Sequence, residues 1–365
     1  MLSLRYYTPV LLQLSGIAGI LAGGIWTWVG LAQLPLLALV DSLLEDDLRD
    51  RPPASETLMD IPVAVAALLG FVVTGTVAWR AGQGGLSPFE TVGMLASAGW
   101  LTVVVMVPTT HELYHKRTPW KYALGMWSQL LYLDYTRSAP HLFGHHLFVG
   151  TQRDHDTAPR GESMYRFVVR ASLGNFRDAW EWEKAALAKR GLPLWSPRGR
   201  IGKAVLALVV LLAAFYALGG IAGLAAGFVV ALIGRVWLEG LNYLQHVGLV
   251  RVEDEPVAPR HVWNHLSPLL RITTFEITNH NEHHQDAYVP YFRMRPDASG
   301  PRMPGALLCF LASLVPPVWN RYILQPRLRH WDLHHATPAE RALAREANRR
   351  AGWPDWLAES TTHAA

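Results

Sequence analysis

Long apolar runs alternate with long polar segments along the chain, and the apolar runs come in pairs. Residues 8–44 are mostly apolar, broken at Gly23, Gly24 and Gly30, and are long enough for two short spans folded as a hairpin. Residues 62–81 and 89–107 form a second pair across the glycine-rich turn 82–87, and residues 201–218 and 221–240 a third across Gly219 and Gly220. Crossing a bilayer takes roughly 17–25 apolar residues. The pattern therefore predicts an all-α polytopic membrane protein with six transmembrane helices in three hairpins. Gly19/Gly23 and Gly223/Gly227 have the spacing that lets membrane helices approach closely. The first run lacks a small-residue cleavage site and reads as a retained span.

The polar segments 45–60, 109–200 and the region after 240 carry nearly all the Lys and Arg, while the short opposite turns carry almost none. The positive-inside rule then puts both termini and every large polar segment in the cytoplasm. The expectation is one integral-membrane domain over residues 1–365 in a bacterial inner membrane. Its cytoplasmic regions are 108–200, 241–300 and a C-terminal segment 320–365 with a surface helix over 338–352. Composition agrees, with 50% hydrophobic residues, 17% charged residues and 15 Trp. The net charge of +4 follows from basic cytoplasmic loops and does not call for nucleic acid. A single cysteine, Cys309, lies in an apolar run and reads as a packed core residue; it excludes a disulfide or a cysteine-ligated iron–sulfur cluster within the chain.

The candidate chemistry lies in the 16 His, which cluster. HELYHK begins at His111, with His111 and His115 one helical turn apart, so that both rings reach one metal. HLFGHH supplies His141, His145 and His146; NYLQHVG supplies His246; and NHNEHH supplies His280, His283 and His284. His-Glu-x-x-His alone also fits a zinc peptidase with Glu112 activating water. Nine clustered imidazoles exceed the needs of one zinc ion, and two metal ions are the economical reading. A metal transporter is disfavoured because the clusters fall outside the spans. His334 and His335 read as solvated.

These boxes, in this order, resemble the membrane-bound alkane hydroxylase and fatty-acid desaturase superfamily, and most closely its xylene and p-cymene monooxygenase hydroxylase branch. The likeness runs nearly end to end, through LRYYTPV, NYLQHVGLVR, FEITNHNEHH and ATPAERALAREANRRAGWPDW. It implies six transmembrane helices under a cytoplasmic helical cap that carries a di-iron site. By motif, the iron ligands it implies are His111, His115, His141, His145, His146, His246, His280, His283 and His284. The implied reaction is O2-dependent hydroxylation of a C–H bond, a terminal or benzylic methyl, in a small hydrocarbon such as xylene, toluene, p-cymene or an alkane. A lipid desaturase using the same two iron ions is the alternative. The chain has neither a cysteine set nor a dinucleotide-binding glycine turn, so electrons from NAD(P)H must arrive through a separate protein. The resemblance points to a flavin and [2Fe–2S] reductase, or to a rubredoxin-type donor. Pro140, Gln245 and Val247 depart from the alkane-hydroxylase pattern beside the histidines.

Glu112, Asp154, Asp156, Glu239, Glu282 and Asp286 are candidates to orient ligands, as are His155, His261 and His265. Trp26, Trp28, Trp100, Phe228 and Trp237 are candidates to line a substrate channel. Lys116, Arg117, Lys121, Arg137, Arg153 and Arg160 form a basic face that could steer an acidic electron donor.

Overall fold

The computed structural model describes residues 2–52 and 54–358; the last residues of the expected C-terminal segment, 359–365, lie outside the described residues. The first pair of helices is α1, Thr8–Ala22, and α2, Gly24–Ser42, which starts as a 3-10 turn. Gly23 and Gly24 join them at positive φ, 73° and 56°, a backbone conformation glycine adopts without steric cost. The second pair is α3, Glu56–Gly82, and α4, Pro88–Tyr114. A reciprocal capping box between Ser87 and Glu90 starts α4, and Glu90 also accepts from the Gly24 amide at 2.8 Å, which ties the two turns together.

Two further helices follow, α5, Pro119–Ser128, and α6, Met164–Ala188. The third pair is a single helical element, α7, Arg200–His246, reversed at Gly219 and Gly220. A Cβ built on Gly227 would lie 2.4 Å from the Phe215 ring, whereas those positions would be roughly 18 Å apart along a straight helix. The halves fold back on each other, as the glycine spacing anticipated. The turn abuts α3: a Cβ on Gly219 would meet the Ala78 carbonyl at 2.0 Å.

The remaining helices are α8, His280–Gln285; α9, Ala306–Ser313; α10, Gln325–His334; and α11, Pro338–Ala351. Among the described residues there is no strand, only an isolated bridge between Asn264 and Arg302. The fold is all-helical. Four elements, α2, α3, α4 and α7, are long and apolar enough to cross a membrane, and α1 is a shorter apolar helix. Their outer faces expose Leu36, Leu68, Val72, Val209 and Val210, an apolar surface that water would disfavour and lipid would cover. The chain is an integral membrane protein.

Two spans run further than their hydrophobic patterns suggest. α4 continues through His111, and α7 continues to His246, so the spans themselves carry box histidines at their ends. Cys309 is fully buried, as expected. α11 forms where expected, but its inner face is not solvated: Glu340 and Ala344 are fully buried.

The α7 turn gives a test. Gly220 sits at φ 59°, ψ −149°, a region that side chains disfavour. Gly220→Ala should cost about 1–3 kcal/mol, and Gly219→Ala at least as much because its methyl has no room against Ala78. Gly75→Ala, whose methyl would meet only Leu218 at 3.6 Å, should be neutral or stabilising. Thermal melts of the purified protein in detergent would check this; equal melting temperatures for all three variants would reject the hairpin.

Candidate metal centre

Local irregularities aim the histidines. A π turn over Thr102–Met106 precedes the first box, and a second over His141–His145 contains the next. Such a widened turn admits an extra residue and rotates the downstream face. The first also relieves Pro108, whose ring would crowd the Val104 carbonyl in a regular helix. Before the last box, Phe275 and Glu276 both have positive φ, 47° and 61°, a strained conformation for residues with side chains. The fully buried Glu276 carboxylate holds that turn by accepting from Tyr6 Oη at 2.6 Å, Arg51 Nε at 2.9 Å and Arg271.

All nine box histidines converge. His111, His115, His141 and His283 form one buried group, and His145, His246, His280 and His284 another; within each, the ligating atoms lie within 4.8 Å of one another. His146 stands between them, its Nε2 3.1 Å from Nε2 of both His141 and His283 and its ring 4.7 Å from that of His284. Other Nε2 pairs are as close: His111 to His141 at 3.0 Å, His246 to His280 at 3.1 Å and His280 to His284 at 3.2 Å.

The donors fit metal ions. Two neighbouring imidazole nitrogens bound to one ion at about 2.1 Å each lie roughly 3.0–3.4 Å apart, and opposite ones about 4.2 Å. Nε2 of His115 and of His145 is buried without a protein partner among the described residues, and leaving such an atom unsatisfied costs about 1–3 kcal/mol. Burial, reinforced by neighbouring imidazoles, holds His115, His141, His280, His283 and His284 well below the ordinary histidine value, and His146 down to about 3. Their rings are neutral at physiological pH and offer lone pairs to a cation. Burial pushes His145 the same way, but the Asp154 charge outweighs it and the net direction is up.

Of the candidate orienting groups, Asp154 contacts a box histidine directly: its Oδ2 lies 2.9 Å from His145 Nδ1 and accepts from Thr157 at 2.6 Å. His246 Nδ1 reaches the His261 carbonyl at 3.4 Å. Asp156 and Glu239 act one layer out, both on Arg137, at 3.2 and 2.7 Å. Glu112 pairs with Lys116 at 2.6 Å and accepts from the Tyr291 amide, which removes it from the water-activating role a peptidase would need. His155 faces Asp178 at 3.5 Å, and His265 Nδ1 faces the Pro304 carbonyl at 2.6 Å. Glu282 is half-buried, and Asp286 caps the Tyr288 amide.

A cavity opens on His111, His141 and His280 and extends along α4 to Val104 and along α7 to Leu238. The seven residues from Val104 to His111 span roughly 10 Å. None of Trp26, Trp28, Trp100, Phe228 or Trp237 lines it. Trp100 and Trp237 instead stack edge-to-face at 5.9 Å, and Trp26 and Phe228 are exposed. The walls are apolar where α4 and α7 meet, at Val104, Val107, Leu238 and Leu241, while Tyr114, Tyr132, Arg137, Asn242 and Gln245 also line the cavity. The basic face also needs correction. Lys121, Arg137 and Arg160 are buried, drawn into ion pairs with Asp60, Glu239 and Asp332 at 2.6, 2.7 and 2.6 Å, whereas Arg117 and Arg153 remain exposed. The Glu276 clamp and the Arg137 network escaped sequence reasoning because their members are distant in the chain.

Known proteins are similar to this chain in sequence. The chain is 36% identical over 360 residues to the xylene/toluene monooxygenase hydroxylase component of Pseudomonas putida, covering 97% of this chain and 96% of that one. It is 30% identical to alkane 1-monooxygenase 1 of Pseudomonas aeruginosa, over 71% of this chain and 70% of the relative. Alkane 1-monooxygenase of Ectopseudomonas oleovorans is 29% identical over 81% of this chain and 76% of its own length. Residues 85–308, which include all nine converging histidines, match the fatty acid desaturase family. The chain belongs to the fatty acid desaturase family.

Proposed function

We propose that this protein is a membrane hydrocarbon monooxygenase in which the nine histidines hold two iron ions. His111, His115, His141 and His283 bind one and His145, His246, His280 and His284 the other, with His146 between the two groups. The observation that carries the reading is the largely apolar cavity opening directly onto His111, His141 and His280. The named activities of the xylene/toluene and alkane relatives support it. When bound and reduced, the iron pair would activate O2 for insertion of one oxygen atom into a C–H bond.

The protein's own part is placement and exclusion of water. Val104, Val107, Leu238 and Leu241 form an apolar slot suited to a small hydrocarbon: xylene, toluene, p-cymene or a short alkane, presented by a methyl group. Asp154 and the His261 carbonyl take up the outer ring nitrogens of His145 and His246 and leave each Nε2 for metal. Six spans follow if α1 and α2 make one hairpin and α7 supplies two crossings, with the cap and both termini on the cytoplasmic face of a bacterial inner membrane. The whole chain then works as one hydroxylase domain. Electrons come from NAD(P)H through a separate flavin and [2Fe–2S] reductase, or through a rubredoxin-type protein.

The test is oxidation by cells that express the chain with such a reductase. Toluene, xylenes, p-cymene and octane are supplied under 18O2, and an 18O-labelled alcohol is expected from at least one. Unsaturated, unlabelled product would favour a desaturase, and no product from iron-loaded protein would sink the proposal. The purified protein should hold two irons per chain. His283→Ala should lose iron and lower product formation by more than about 100-fold.

Cavity shape gives a separate prediction. Val104→Phe adds bulk at the apolar end and should cut kcat/KM for p-cymene by about ten-fold or more relative to toluene. An unchanged ratio would show that substrate binds elsewhere.

A further inference from the structure

Helix α11 begins at Pro338, 54 residues beyond the last box histidine, His284, yet one of its side chains reaches toward the metal centre. Glu340 is fully buried, with Oε1 2.6 Å from Nε2 of the equally buried His261. Nδ1 of His261 accepts from the Ala258 amide at 3.0 Å, so in the neutral ring Nε2 carries the hydrogen and donates it to Glu340. The other Glu340 oxygen accepts from the Thr337 amide at 2.8 Å and from Arg260 Nε at 2.9 Å. That carboxylate is saturated and held rigidly at the first turn of α11.

The far side of His261 faces the site. Its carbonyl lies 3.4 Å from Nδ1 of His246, whose Nε2 meets His280 Nε2 at 3.1 Å. The same strip of chain is fastened to the end of α7, where the Trp263 amide donates to the Gln245 carbonyl at 2.9 Å and Trp263 Nε1 to the Val247 carbonyl at 3.0 Å. A carbonyl that accepts from Nδ1–H selects the tautomer whose Nε2 lone pair faces metal, and it fixes the ring plane.

We propose that Glu340 is a positioning residue for the metal centre: by locking His261, it sets the carbonyl that orients His246. This rests on the reading of the nine histidines as iron ligands given above. The group served is that of His145, His246, His280 and His284, and not the one built on His111.

The test compares full-length wild type with Glu340→Ala, Glu340→Gln and Ala344→Gly, each purified and loaded with 57Fe. Ala344→Gly loosens α11 at a buried position without touching His261 and controls for loss of stability alone. Glu340→Ala should weaken iron binding at one of the two sites by about ten-fold and alter one of two Mössbauer signals. Glu340→Gln, which keeps an oxygen at that position and folds where the alanine variant does not, should shift the same signal by less. Ala344→Gly should lower the melting temperature with both signals intact. Unaltered signals in both Glu340 variants would overturn the proposal, as would equal iron loss in Ala344→Gly. Wild type that binds no iron pair would instead reject the reading of the site itself, and this proposal with it.

Discussion

The structure around the boxes answers to one constraint: nine imidazoles are held with ring nitrogens a few ångströms apart, eight of the nine buried. Such an arrangement is unfavourable for the protein alone. Nε2 atoms 3.0–3.2 Å apart cannot all satisfy one another, and Nε2 of His115 and of His145 has no protein partner among the described residues. The surrounding structure therefore has to fix the rings from outside. Asp154 does so for His145 and the His261 carbonyl for His246, and each contact is itself anchored by further hydrogen bonds.

The scaffold meets that demand by departing from regular geometry where the histidines lie. Two π turns, a pair of strained residues at Phe275 and Glu276, and a glycine reversal in α7 each bend or rotate an element that would otherwise point its histidines elsewhere. The strain is local and so are its supports. Glu276 draws Tyr6 from the N-terminus and Arg51 from the loop before α3 onto the turn that precedes His280. Segments far apart in sequence thereby share responsibility for one six-residue helix, α8.

How far this could be read from the sequence follows from the range of the interactions. The box histidines were legible because a spacing of three or four residues is a statement about one helix face, and a helix carries its own periodicity. The apolar pairs were legible for a similar reason, and Gly219-Gly220 marked a reversal that the structure contains. What sequence could not supply was side-chain destination. Arg137 and Arg160 read as surface cations, but they meet carboxylates 102 and 172 residues away and are buried with them. Glu340 sits in an Ala/Glu/Arg-rich helix that looks solvated in isolation, and only the packing of α11 against residues 260 and 261 reveals its partners. The aromatic residues were poor guides to the cavity, since their bulk makes them good packing material and Trp100 is used that way against Trp237.

The Arg137 network shows why such burial is tolerated at all. Arg137 binds Glu239 from α7 and Asp156 from the loop before α6, Asn175 holds the other oxygen of Asp156 at 2.6 Å, and Asn242 donates to Glu239 at 3.1 Å. Burying these charges is expensive, and apolar residues of the same shape would often be as stable. Removing Arg137, however, would take from Asp156 its cation and leave Glu239 only Arg235, at 3.3 Å, so the network favours one arrangement. That arrangement fixes the end of α7 relative to the loop bearing Asp154, because the Asp156 amide donates to Asp154 Oδ1 at 2.9 Å. His246 comes from that end of α7, and His145, of the same group, is held by that loop through Asp154. A hydrophobic contact could slide by a fraction of an ångström at little cost. A directional network of charges cannot, and box histidines that come from a membrane span and from the His141–His145 turn need that rigidity to keep their ring nitrogens within a few ångströms of one another.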